Sequence, residues 1–414
     1  MKKLLIIGFV WPEPHTTAAG TRILQLINVF QENGLEIHFA STASKTNHSY
    51  DFNEIGIQTS VIELNNRSFN DFIIEFNPDI VLFDRYLTEE QFGWRVTESC
   101  PNALKILDTE DLHFLRYARE QSFRKNLELN DSLLNNDITK REIASIYRCD
   151  LTLIISKYEM ELLKDKFNIS SNLLCYTPFL HKELTITDYK KYPSFNERID
   201  FMTMGNFKHK PNLQSVKTLK KTIWPIIRSK LPKAKIHIYG AYGNNESINQ
   251  LHNEKEGFLI KGWVNNKESA FSNAKICLAP LHFGAGLKGK LIDAMIFGTP
   301  SITTSIGSEG IKSNLPWAGF VKNDLNDFAK KAIELYKNEE LWLKKQQNGI
   351  EIINFNFSKN TFGRRLIVKV EDCLKNLDNY RNTNFIGLML THHYLKSTKY
   401  MSKWIEEKNR NTKL

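Results

Sequence analysis

Apolar residues along this chain fall into short blocks separated by longer stretches with helical spacing. The first block, "KLLIIGFV" (3–10), is continuous, as a strand buried on both faces would be. "TRILQLINVFQENG" (21–34) repeats apolar positions every three or four residues and stops at Gly34, where a left-handed residue can close a helix. "LEIHFAST", "IQTSVIEL", "PDIVLFD", "ALKILDTE" and "LTLIIS" predict further strands, and helical patterns such as "FNDFIIEF" and "KYEMELLKDKF" separate several of them. Strand and helix in alternation imply βαβ units and a parallel sheet.

The polar stretch "ITDYKKYPSFNERID" (186–200) has no clear period, and the linker is placed there. The alternation then restarts. "FMTMGNF", "AKIHIYG", "GFLIKGW", "KICLAPL" and "TPSITTS" predict strands. "PNLQSVKTLKKTIWPIIRSKL" (211–231) predicts a helix opened by proline and bent at Pro225. Residues 325–357 and 362–379 are expected to be helical. The fold expected is α/β, with two Rossmann-like doubly wound domains, 1–188 and 189–380. A basic tail, 381–414, is expected to be helical.

A length of 414 residues supports that count, being long for a single core. The five cysteines form no CxxC and no zinc spacing with histidine, which argues for a reducing cytoplasm and against structural zinc. "MKKLLIIGFVWPEP" opens like a signal peptide, but its apolar run is short and has no small-residue cleavage site, so it is read as a first strand. A net charge of +10 fits nucleic acid, an anionic membrane or phosphorylated substrates. No recognised nucleic-acid motif is present, so nucleic acid is not an expected partner. Phosphates, an anionic membrane at the inner face, or solvent could each face the basic tail.

The chemistry concentrates in "GAGLKGKLIDA" (284–294). It satisfies the dinucleotide pattern G-x-G-x-x-G through Gly284, Gly286 and Gly289, and Glu309 lies where a ribose-binding acid would. However, it falls late in its domain instead of in a first βα turn. It also satisfies most of a P-loop, but residue 291 is leucine where a hydroxyl must ligate magnesium. The third reading is a metal-free phosphate loop. Gly284 and Gly286 let the backbone approach an anion, helix amides attract it, and Lys288 and Lys290 add charge. Asp293, one turn beyond Lys290, is placed to accept from a ribose diol.

"PLHFGAGLKGKLIDAMIFGTPSITTSIGSEGI" (280–311) resembles the donor-binding segment of retaining glycosyltransferases of the family-four, group 1 kind. "MGNFKHKPN" (204–212), "WPEPHTTAAGTR" (11–22) and "DTEDLHFLR" (108–116) resemble that family's other cleft segments. The resemblance covers nearly the whole chain. It implies a GT-B fold, two domains facing a cleft, a last helix that returns to the first domain, and no divalent ion or other cofactor. The donor would be a nucleotide diphosphate sugar on the second domain, and the acceptor a glycan or lipid-linked molecule on the first.

Carried over residue by residue, the resemblance gives His113, Lys210, Lys290 and Asp293 as catalytic. Gly20, Gly205, Lys208, Val264, Gly284, Ala285, Gly286 and Lys288 would hold the donor. His113 would contact the donor sugar, Gly20 would face the cleft, and Val264 would offer backbone atoms to the base. Trp263 is read as core packing. The sequence departs from the family at Ala285, where many relatives carry a glutamate, and at Asn206, where many carry an arginine. A binder or epimerase of the same fold, and a P-loop-like nucleotidase, stay open as alternatives.

Overall fold

The computed structural model describes residues 1–242 and 246–412. Seven strands form the first sheet: β1 (Lys3–Gly8), β2 (Glu36–Ser41), β3 (Gln58–Val61), β4 (Ile80–Asp84), β5 (Leu104–Asp108), β6 (Leu151–Ile154) and β7 (Leu174–Tyr176). Six form the second: β8 (Ile199–Met204), β9 (Ile236–Tyr239), β10 (Phe258–Gly262), β11 (Ala274–Ala279), β12 (Ser301–Thr303) and β13 (Gly319–Val321). All pairings are parallel, in the orders β3-β2-β1-β4-β5-β6-β7 and β10-β9-β8-β11-β12-β13. The direction of winding reverses beside β1 and again beside β8. At such switch points the loops diverge and leave a crevice beyond the strands' carboxyl ends. Both sheets are doubly wound, as the alternation predicts.

The first sheet carries α1 (Ala18–Glu32), α2 (Arg85–Ser99), α3 (His113–Lys125), α4 (Asp137–Arg148) and α5 (Lys157–Phe167). The second is followed around by α6 (Lys210–Thr218), α7 (Gly289–Ile296) and α8 (Glu339–Asn356). Continuous apolar strands feed two cores at once. Along β1, Leu5 and Ile7 enter one cluster, while Leu4 and Ile6 enter the other. This is the period of two expected of a strand covered on both faces.

Two long helical patterns are interrupted. Between Lys210 and Lys230 the helix widens into a π-turn over Leu219–Ile223, just before Pro225, which has no N–H to continue the ladder. The segment 325–357 divides at Asn338, whose side chain accepts from the Leu341 amide and so caps α8.

The chain returns to the first sheet at about Ser358, ahead of the expected 381. Phe362, Leu366, Val370 and Cys373 of α9 (Lys359–Lys375) lie in the core that contains Leu4 and Ile6. Beyond it, α10 (Phe385–Thr412) packs on α2 and α4. Arg95 of α2 pairs with Glu406, and Lys399 pairs with Glu98. No helix among the described residues is long and apolar enough to cross a membrane.

Candidate functional site

A cleft of about 760 Å³ opens between the carboxyl ends of the two sheets. Its walls come from the segments after β1, β4 and β5 on one side and after β8, β10 and β11 on the other. The loop from β11 to α7 forms the floor. Gly286 is left-handed there (φ 61°), and a Cβ on it would lie 2.7 Å from the Cβ of Asp111. A Cβ on Gly289 would lie 2.7 Å from that of Ala18. The glycines at 286 and 289 therefore let the two halves touch, besides any approach of a ligand.

Side chains tie this contact together. Arg119 of α3 forms an ion pair with Glu309 at 2.7 Å and donates to the Gly284 carbonyl at 2.8 Å. The Glu159 carboxylate of α5 accepts from the Gly286 amide at 2.7 Å and the Leu112 amide at 3.1 Å. The phosphate cradle read from the sequence is corrected at this point: the Gly286 N–H is spent on Glu159. Glu309 is likewise bound to Arg119 and does not line the cleft, so it is not placed as a ribose acid.

The two loop lysines behave differently from surface lysines. Lys290 keeps part of its surface open to the cleft, yet protein packs around its ammonium, and burial pulls its pKa down to about 8. It donates to the Asn212 amide oxygen at 2.8 Å. Among the described residues no carboxylate lies within ion-pair distance of it. Lys288 donates to the Gly286 carbonyl at 2.8 Å and is also lowered by burial. Asn212 is held in turn by donating to the Asn206 carbonyl at 3.0 Å. Gly205 makes room for it, since a Cβ there would lie 2.6 Å from the Asn212 side chain.

The remaining expected residues divide. Asp293 lines the cleft and accepts from Lys267 at 2.9 Å, not from Lys290. Lys208 and Val264 line it as well, with the Lys208 ammonium 3.7 Å from the centre of the Tyr242 ring. Gly284 and Ala285 also line it. Lys210 is at the mouth, 61% exposed, and pairs with Glu120 of α3 at 2.9 Å, so its charge is already partnered across the cleft. Gly20 is a correction. It does not line the cleft; a Cβ there would strike the Glu13 backbone at 2.5 Å, so it seats the preceding loop on α1. Trp263 is a second correction. It is 41% exposed, lines the cleft, and stands 4.7 Å from the His48 ring, so it is not core packing.

His113 opens α3 at the cleft. Burial drops its pKa to about 3 although Asp111 lies 3.4 Å away, so the ring is neutral. The amides of His113 and Phe114 donate to the buried carboxyl of Glu142, at 3.2 and 3.0 Å. Glu142 thus satisfies the helix start that the sequence leaves open. Sequence reasoning missed Glu142, Glu159, Asn212 and the Arg119–Glu309 pair. Each acts on a partner more than 25 residues away, so no local spacing marks it.

Comparison with known proteins gives these contacts a context. Residues 198–338 match the family model described as glycosyl transferases group 1. An uncharacterised 44.6 kDa protein in the cps region of Klebsiella pneumoniae is 25% identical over 293 residues, covering 68% of this chain and 72% of that protein. The structure of Anabaena HepE in complex with UDP and glucose superposes with a TM-score of 0.67 at 10% identity, covering 90% of this chain and all of that one. S. aureus TarM, solved with fondaparinux, alpha-GlcNAc-glycerol and UDP, matches with a TM-score of 0.57 at 15% identity over 72% of this chain. This chain spans 57% of the length of that structure. The fold is GT-B, and the match to the group 1 glycosyltransferase model is confined to residues 198–338.

Proposed function

We propose, for a chain that carries a group 1 glycosyltransferase domain on a GT-B frame, transfer of a sugar from a nucleotide diphosphate sugar to a glycan or lipid-linked acceptor. The anomeric configuration would be retained and no metal ion required. The observation that carries this reading is Lys290: a cation inside the cleft with an amide for a partner and, among the described residues, no carboxylate within ion-pair distance. Burying an uncompensated charge is unfavourable, and a diphosphate would supply the missing counter-ion.

As the bond from the anomeric carbon to the diphosphate breaks, negative charge grows on the leaving oxygen. Lys290 and Lys288 would stabilise that charge more in the transition state than in the bound donor. The neutral His113 ring would donate to or accept from a sugar hydroxyl without adding charge. Ala285 supplies no carboxylate, so the departing phosphate would take the acceptor's proton in a front-face attack. Asp293 would receive the ribose diol once Lys267 shares it, and the exposed face of Trp263 would border the base. Uridine diphosphate sugars are the first donors to test, because the HepE and TarM structures both hold UDP. The Klebsiella relative in a cps region supports a place in polysaccharide synthesis.

The test is incubation with UDP-, GDP-, ADP- and dTDP-sugars and candidate acceptors in the presence of EDTA. Release of nucleoside diphosphate with a glycosylated product of retained configuration is expected. Isomerised sugar alone, or a strict need for added divalent ion, would contradict the reading.

The proposed site of action is the inner membrane surface. Phe385, Ile386, Met389, Tyr400, Met401 and Trp404 of α10 are each between 45% and 73% exposed, and Lys396 and Lys403 are on the same helix. An apolar face with basic neighbours suits an anionic bilayer. Co-sedimentation with phosphatidylglycerol vesicles is expected, weakened several-fold by high salt or by Trp404→Ala with Tyr400→Ala. Equal recovery with neutral phosphatidylcholine vesicles would count against it.

A further inference from the structure

Two non-glycine residues at the cleft are held in left-handed backbone. Arg85 (φ 71°) follows β4, and Glu110 (φ 62°) follows β5. These strands are neighbours, with Asp84 and Asp108 paired in register, so Arg85 and Glu110 leave adjacent strand ends, one and two residues past that pair. The switch point lies between β1 and β4, and Phe9 just after β1 stacks its ring 5.3 Å from the Arg85 guanidinium. Left-handed backbone is uncommon and strained for arginine or glutamate, and such strain tends to persist where a side chain must be aimed.

Both side chains line the cleft, and among the described residues neither makes a side-chain hydrogen bond, although each lies in the other's field. Glu110 is 9% exposed, lines the cleft, and accepts no hydrogen bond among the described residues. The Arg85 guanidinium is 15% exposed; among the described residues Asp84, at 3.8 Å, is its ion-pair partner, and Glu110, Asp111 and Asp108 are further acidic neighbours. The other charges nearby are already matched. Arg22 and Asp108 form a buried pair at 2.8 Å, and Arg116 binds the Asp111 carboxylate. Burial, with Asp108 and Asp84 close by, pushes the Glu110 carboxyl well above the usual carboxylate range and toward its uncharged form. An added anion would meet Asp84 and Asp111, whereas an added cation would meet Arg85. An uncharged ligand that donates to one group and accepts from the other satisfies both.

We propose that Arg85 and Glu110 form the acceptor subsite and bind adjacent hydroxyls of an uncharged sugar unit, with Glu110 accepting from one and Arg85 donating to its neighbour. The proposal rests on the glycosyl-transfer reading and adds the residues and the charge class of the acceptor. Both are specificity-determining residues on the first-domain side, on the opposite wall from the lysine pair.

The test uses the full chain and the variants Arg85→Gly and Glu110→Gly, which remove the side chain and relieve the backbone. Saturation-transfer NMR with UDP present would measure binding of methyl glucoside, methyl galactoside and methyl N-acetylglucosaminide, beside methyl glucuronide and glucose 6-phosphate. Wild type is expected to bind one or more neutral glycosides. Each variant is expected to lose at least tenfold in that affinity, to keep UDP affinity within twofold, and to melt at or above the wild-type temperature. Glycoside binding unchanged in both variants, or UDP affinity falling in step, would overturn the proposal. So would a wild type that binds only the charged sugars or none of the panel. Cleavage of the donor by wild type in the absence of glycoside reads the transferase assignment separately.

Discussion

Lys290→Met is expected to lower kcat/KM for the donor by about 10²–10³, equivalent to roughly 3–4 kcal/mol of transition-state stabilisation. The folded protein is expected to be as stable as wild type or more so. The two results together carry the meaning. In the free protein the Lys290 ammonium is packed by protein, its partner among the described residues is the neutral Asn212, and none of them places a carboxylate within ion-pair distance. Removing such a charge while keeping the volume removes a desolvation penalty. A lysine placed for packing or for a structural ion pair would behave the other way, losing stability first and activity second. Thermal melts of the two proteins, with and without UDP, separate these cases. Wild type should gain melting temperature on adding UDP, as any protein does that binds a ligand in its folded state alone. Lys290→Met should gain little.

Donor affinity and kcat/KM should be level below pH 8 and fall above it, by about tenfold per pH unit for each lysine lost. Burial depresses the Lys290 pKa from 10.5 to about 8, and lowers Lys288 in the same direction. Only the ammonium form attracts the diphosphate, so binding weakens as these groups deprotonate. The stability of the free protein takes the opposite sign. The unfolded chain holds the lysine proton up to its ordinary pKa, while the folded chain releases it near 8. Between those two values the unfolded state binds more protons, so this contribution to stability grows as pH rises. A pH series of kcat/KM and a parallel series of melts check both signs. Lys290→Arg, which stays charged through this range, should move the basic limb upward. A profile flat to pH 10 in wild type would show that neither lysine titrates in the free enzyme.

The fold was legible wherever a strand or helix was long enough to show its period. "KLLIIGFV" and "KYEMELLKDKF" correspond to β1 and α5, the latter residue for residue. Of the three three-residue strands, β7 and β13 were missed because no alternation is visible over so few residues, and β12 was read only as part of the longer run "TPSITTS". The break at Asn338 was hidden because the apolar period continues through it, while the side-chain cap acts locally. In the site, the glycine–lysine loop was legible because its chemistry is contiguous in sequence. What the glycines do was only half legible. Gly286 and Gly289 face Asp111 and Ala18, and nothing near residue 286 in the sequence announces those partners. The same holds for Lys210, whose charge reads as free until Glu120 is found across the cleft. Arg85 and Glu110 were invisible for a different reason: backbone strain belongs to the folded chain and has no composition or spacing of its own.

The central claim is that the cleft lysines grip a diphosphate, and a crystal structure of the protein grown with UDP tests it most directly. The account predicts a phosphate oxygen within about 3 Å of the Lys290 ammonium, beside Lys288 and the start of α7. UDP bound elsewhere, with Lys290 still bonded to Asn212 alone, would contradict it.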